Sequence, residues 1–99
     1  MGIKFDSIRE RDRFIILDEE QKCGRISDLK RQVRYQLIPP QKNGKKIIGR
    51  GVAYVADFTY RDSQGNLIVE DSKGYRGNRV WIIKKQLMYW LYGIDVIEV

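Results

Sequence analysis

The sequence predicts an α/β domain, α+β in the way its elements segregate, with the order α-β-β-β-α-β and a mixed four-stranded sheet flanked by helices. Three observations carry this. Runs with helical apolar spacing lie near both ends, at residues 8–22 and 79–92. Between them stand three runs rich in β-branched and aromatic residues, separated by turn chemistry. A short apolar run follows the second helix, so that helix must cross back to deliver a fourth strand.

The first helix opens with Ser7 and Glu10, an S-x-x-E capping box, and stops at about Lys22 with Gly24 as its terminator. Glu10, Phe14 and Leu17 follow i, i+4, i+7, which puts Glu10 at the edge of the buried face. A capping Glu explains the same residue, and the two roles are compatible. Cys23 reads as a partly buried helix-end thiol, with no His to activate it.

Residues 26–38 form the first strand. Val33, Tyr35 and Leu37 share one face, Arg34 and Gln36 the other, and Pro39-Pro40 ends it. Residues 41–46 make a turn with a basic tip. Lys42, Lys45 and Lys46 there are either phosphate contacts or solvated lysines that discourage edge pairing.

Residues 52–60 and 67–69 are two strands of a hairpin around the turn at 62–66. Alternation puts Asp71 and Lys73 on one face, with Ser72 on the other. Asp57 lies on the partner strand about as far from the turn as Asp71. The hairpin is therefore expected to gather two carboxylates and an ammonium. Asp is depleted in strands, and neighbouring carboxylates repel unless positive charge intervenes. Mg²⁺ or Mn²⁺ would remove the conflict, since Mg²⁺ takes one or two carboxylates and leaves room for water and phosphate. Lys73 would then stabilise a phosphate oxyanion or orient the attacking water. The plainer alternative is a solvated surface ion pair between Asp71 and Lys73.

Residues 74–77 are basic and glycine-rich, and Asn78 caps a second helix from Arg79 to about Tyr92. Ile83, Leu87, Trp90 and Leu91 give it an apolar stripe, widened by Ile82, Met88 and Tyr89, so much of this helix is expected to be buried. Lys84 and Lys85 fall on its more polar side. Gly93 ends it, and residues 95–99 supply the last strand, with Val96 and Glu98 on one face.

The totals fit one domain over residues 1–99, with 42% hydrophobic residues for a single core. One Cys precludes an internal disulfide framework and suits a reducing cytoplasm. No apolar run approaches membrane-spanning length, and no signal peptide is expected. The chain has no His, which excludes histidine metal sites, a Ser-His-Asp triad and a Cys-His dyad. Net charge is +6, and it is segregated: residues 29–56 hold seven bases and no acid, and residues 73–94 again lack any acid. Such basic fields favour nucleic-acid phosphates over ordinary solubility charge.

That order, with these residues, resembles the PD-(D/E)XK nuclease superfamily. Asp57 in Ala56-Asp57 matches its first acid, Asp71-Ser72-Lys73 its D-x-K, and Glu10 its helix-one Glu. Gly2-Ile-Lys-Phe-Asp-Ser7, Tyr54-Val-Ala-Asp-Phe58 and Asp71-Ser-Lys-Gly74 are similar, more narrowly, to a small family of phage and prophage proteins. Gln86 is followed by Trp90 rather than Tyr, unlike the exonuclease-like branches. The resemblance implies a restriction-endonuclease-like core. It implies that Asp57, Asp71 and Glu10 hold Mg²⁺ or Mn²⁺, that Lys73 assists the attacking water, and that DNA phosphodiesters are hydrolysed to a 5′-phosphate and 3′-hydroxyl. Lys42, Lys45, Lys46, Arg76, Arg79, Lys84 and Lys85 would hold backbone phosphates. Branched DNA as substrate, a homodimer with two cutting centres, and no membrane or small-molecule cofactor complete the expectation. The rival is a non-catalytic nucleic-acid-binding module of the same fold.

Overall fold

The computed structural model describes residues 2–72 and 78–99. Helix α1 (Ile8–Lys22) is followed by strand β1 (Ser27–Ile38), the short strands β2 (Gln41–Asn43) and β3 (Lys46–Gly49), and the long hairpin β4 (Val52–Arg61) and β5 (Leu67–Asp71). Helix α2 (Arg79–Tyr92) then returns to β6 (Ile97–Glu98). The main sheet runs β1-β4-β5-β6. Its first three strands are an antiparallel meander, and β6 joins parallel to β5. The α-β-β-β-α-β core and mixed four-stranded sheet are those the sequence predicts. The basic tip is more elaborate than a turn: β2 and β3 form a two-stranded ribbon separate from the main sheet.

The helix ends follow from local chemistry. Ser7 Oγ accepts the Glu10 N–H at 3.1 Å, and Glu10 Oε1 reaches back to the Asp6 N–H at 3.3 Å. This is a capping box shifted one residue outward at its return arm. Asn78 Oδ1 accepts from the Val80 and Trp81 N–H groups, and Gly93 at φ +68° closes α2 in the left-handed conformation. Where β1 passes into the ribbon, Gly51 (φ +90°) stands so close to Ile38 that a Cβ there would lie 2.7 Å from its carbonyl oxygen. Glycine is required at this crossing.

Two apolar clusters sit on the sheet. Leu37, Tyr54, Ala56, Val69 and Val96 pack with Trp81 and Met88 of α2. Phe58 and Tyr60 pack with Leu17 of α1, helped by Phe14, Ile26, Leu29 and Ile68. Along β4 the apolar run thus changes from one cluster to the other across Asp57. Along β1 the change falls between Leu29 and Tyr35, around Gln32.

Three expectations need correction. Helix α2 is not largely buried: Trp81 and Met88, seven residues apart, are its buried positions, while Ile82, Ile83, Tyr89, Leu91 and Trp90 are exposed, the last at 80%. At 100° per residue Trp90 lies about 200° round from Met88, so the face that meets a narrow sheet cannot also cover it. The last strand is shorter than residues 95–99, because pairing with β5 is confined to Ile97 and Glu98. Cys23 is exposed.

Candidate active site

The β4–β5 register pairs Phe58 with Glu70 and Thr59 with Val69, so Asp57 and Asp71 each stand one residue beyond the last pair. The β1–β4 register pairs Arg31 with Phe58 and Val33 with Ala56, which brings Gln32 abreast of Asp57. Helix α1 lays Glu10 over the same place. Glu10 is 0% and Asp57 1% exposed, and Asp71 and Ser72 are buried too. Buried carboxylates demand compensation, and each finds it differently.

Asp57 Oδ2 accepts both the backbone N–H and the Oγ–H of Ser72, each at 2.8 Å. Its Oδ1 faces Gln32 Nε2 at 3.4 Å, and the same amide nitrogen donates to Glu10 Oε2 at 2.8 Å. A single amide thus bridges two buried carboxylates. Glu10 has a second neighbour in Arg31, whose Nη2 lies 3.7 Å from Oε2. That guanidinium is anchored by the Lys4 carbonyl at 3.1 Å and by the Phe5 ring, 4.2 Å from its centroid. Asp71 Oδ2 accepts the Tyr54 hydroxyl at 2.8 Å. Burial first, and then the Asp71 charge, push the Tyr54 pKa well above its ordinary value, so Tyr54 stays a donor. Asp71 also lines a cleft of about 270 Å³ with Tyr54, Asn78, Trp81 and Lys84.

Glu10 and Asp57 therefore converge, while Asp71 stands on the next strand with partners of its own. Among the described residues no three of His, Cys, Asp or Glu are grouped closely enough to hold a metal ion. Glu10, Asp57 and Asp71, expected from the sequence to converge, do not form such a group, and Gln32, Ser72 and Tyr54 are donors to them. Ser72, expected on the face away from Asp71, instead anchors Asp57. Lys73 and Arg76 lie outside the described residues. The donor set still suits a hard cation, since Mg²⁺ asks for only one or two carboxylates. Glu10 and Asp57 each place an oxygen beside the same amide nitrogen.

The phosphate-binding candidates are spread along one chain path. Lys42, Lys45 and Lys46 are exposed on the β2–β3 ribbon, and Arg79 is exposed at the start of α2. Lys84 lines the Asp71 cleft, and Lys85 pairs with Glu98 at 3.4 Å. No helix among the described residues is long and apolar enough to cross a membrane.

Sequence reasoning missed Gln32, Arg31, Ser72 and Tyr54. Gln32 left one signal, its place on the first strand at the level of Asp57. Tyr54 left another, its position three residues before Asp57 on an otherwise core-facing run.

A family model described as a protein of unknown function (DUF1064) matches residues 1–96. No curated protein and no solved structure matches the chain.

Proposed function

The chain belongs to the DUF1064 family, phage-associated domains with a restriction-endonuclease-like α/β core, and on that premise we propose that it is a metal-dependent endonuclease acting on DNA. One observation carries this reading: two buried carboxylates, Glu10 and Asp57, share a single hydrogen-bond donor beside the Asp71 strand end. Burying charges costs several kcal/mol per ion, about the scale of a small domain's whole stability, so such a pair is poor value as mere scaffold.

In this reading Asp57 and Glu10 hold Mg²⁺ or Mn²⁺, with Asp71 at the rim of the same centre. Ser72 fixes the Asp57 carboxylate through two hydrogen bonds, so that one oxygen remains directed at Gln32. The ion, when bound, would lower the pKa of a water and neutralise phosphate charge. Lys73 follows directly in sequence and would steady that water or the developing oxyanion. Lys42, Lys45, Lys46, Arg76, Arg79, Lys84 and Lys85 would grip backbone phosphates, which position the duplex without reading sequence. Few side chains remain for base readout, which favours structure-selective cutting of branched DNA. Two copies would supply two cutting centres, and the exposed apolar positions of α2 support such pairing.

The test is cleavage of supercoiled plasmid and a four-way junction with Mg²⁺ or Mn²⁺. Asp57→Asn and Asp71→Asn should each lower the rate by about 100-fold or more, as loss of electrostatic and metal stabilisation does elsewhere. Equal rates in parent and variants would refute these roles. A second reading, a non-catalytic nucleic-acid-binding module, is favoured by the missing three-acid group among the described residues. It predicts salt-sensitive DNA binding that EDTA leaves unchanged, and no cleavage.

A further inference from the structure

We propose that Gln32 is itself an oxygen ligand for the cation held by Glu10 and Asp57, kept in reserve in the metal-free protein by rotation of its side-chain amide. This rests on the endonuclease reading of the same site and adds a residue to it.

Gln32 is one of two non-glycine residues with left-handed φ among the described residues, at +54°. Its neighbours Arg31 and Val33 keep unbroken register with β4 on either side. A side chain with a Cβ resists this conformation, and it persists only where the surroundings impose it. Here the result is an amide delivered between two carboxylates.

Facing two acceptors, the amide must present its NH₂ group, because its own oxygen would be repelled. That nitrogen lies 2.8 Å from Glu10 Oε2 and 3.4 Å from Asp57 Oδ1. In an octahedral shell with Mg–O bonds of about 2.0–2.1 Å, adjacent ligand atoms stand about 2.9 Å apart. The amide nitrogen therefore already stands at a neighbouring ligand's spacing from Glu10 Oε2, and about half an ångström beyond it from Asp57 Oδ1, a gap that cation entry would close. A half-turn about the last side-chain torsion exchanges nitrogen for oxygen at nearly the same place, and that torsion is soft and two-fold. An amide carbonyl is an oxygen donor of the kind hard cations accept. Without a cation the three oxygens would repel, so the half-turn and cation entry favour one another. Lying between them, the Gln32 amide also keeps the carboxylates from facing each other unscreened.

Two substitutions separate ligand from strap. Gln32→Met keeps the length and removes the oxygen. Gln32→Glu keeps the oxygens and removes the donor. Mn²⁺ binding is measured by calorimetry, and thermal unfolding is followed with and without Mn²⁺, with Asp57→Asn as control. Parent protein should bind Mn²⁺, and Asp57→Asn should not. Gln32→Met should bind about tenfold more weakly or worse, the loss typical of disturbed metal sites. Gln32→Glu should have a lower Tm than parent without Mn²⁺ and recover to or above parent with it. If both variants bind Mn²⁺ as parent does, and lose the same Tm with and without the ion, Gln32 is only a strap and the proposal fails. If Gln32→Met does not fold, the Mn²⁺-dependent Tm gain of Gln32→Glu against parent decides alone. If the parent itself binds no Mn²⁺, the cation site as a whole is refuted, and Gln32 with it.

Discussion

Arg13 and Glu70, 57 positions apart in sequence, meet in a two-pronged ion pair, with Nε donating to Oε1 at 2.8 Å and Nη2 to Oε2 at 2.7 Å. Glu70 is buried, and the Tyr60 hydroxyl donates to the same Oε2. The hydrogen bond to Glu70 holds the Arg13 pKa above its ordinary value. This pair pins α1 to β5, and so sets the height at which Glu10 lies over Asp57. Arg13→Ala would strand a buried carboxylate. Breaking such a pair costs about 3–5 kcal/mol, and the partly exposed Arg13 places this case near the lower end. Urea unfolding should show a lower midpoint at unchanged slope.

Tyr60 makes the fold sensitive to alkali. Burial, then the hydrogen bond to Glu70, push its pKa from 10.0 up to about 12. The folded state holds the proton more tightly than the unfolded chain. The stability this contributes is therefore complete below about pH 10 and disappears as pH rises towards about 12. Tyr60→Phe should lower stability at pH 7 by about 1.5–3 kcal/mol, a hydrogen bond to a charged group. It should also make the decline between those pH values shallower. The decline will not vanish, because the Tyr54 pKa is raised as well. Urea midpoints across that range give both numbers.

The two tryptophans should report opposite environments. Trp81 is buried and donates through Nε1 to Glu98 at 3.1 Å, whereas Trp90 is 80% exposed. Trp90→Phe should leave blue-shifted emission poorly quenched by iodide, with stability changed by no more than about 0.5 kcal/mol. Trp81→Phe should leave red-shifted, readily quenched emission and a measurable loss of stability. If Trp90 emission in the latter variant is already shielded at micromolar concentration, a second molecule covers α2.

Binding of DNA should weaken with salt in proportion to the lysines on the ribbon. Replacing Lys42, Lys45 and Lys46 by Ala should flatten the log–log salt dependence by about 0.9 for each phosphate no longer neutralised. Affinity should fall alike for different sequences, since contacts to phosphate carry no sequence information. An unchanged slope would remove the ribbon from the binding surface.

Much of the fold is legible because local rules and global topology agree in it. The capping box at Ser7, the Asn78 cap, Gly93 and the turn at 62–66 mark boundaries that the structure keeps. Alternation in residues 52–60 marks the central strand, and register places Asp57 and Asp71 at matching distances from the turn. What stays hidden depends on non-local contact. The left-handed backbone at Gln32 has no signature in a strand-like run. Nor does the partnering of Arg31 with Glu10, which needs α1 docked on β1. Hydropathy misreads the buried face of α2 because it counts apolar residues, whereas the narrow sheet fully buries those at 81 and 88 and only partly covers Leu87. Glu70 escapes for the opposite reason: a charged residue in a strand looks solvated, and its cation comes from the far end of the chain.

Ile38 and Val52 are cross-strand partners, so the chain leaves the main sheet and rejoins it at neighbouring points, with the ribbon inserted between. Such an insert can be exchanged like a tool on a fixed handle. A lineage could shorten it to a tight corner, or lengthen it to clasp a differently shaped partner, while the buried carboxylates Glu10 and Asp57 stayed untouched. The same property makes the ribbon a convenient seat for a fluorophore or a tether in the laboratory.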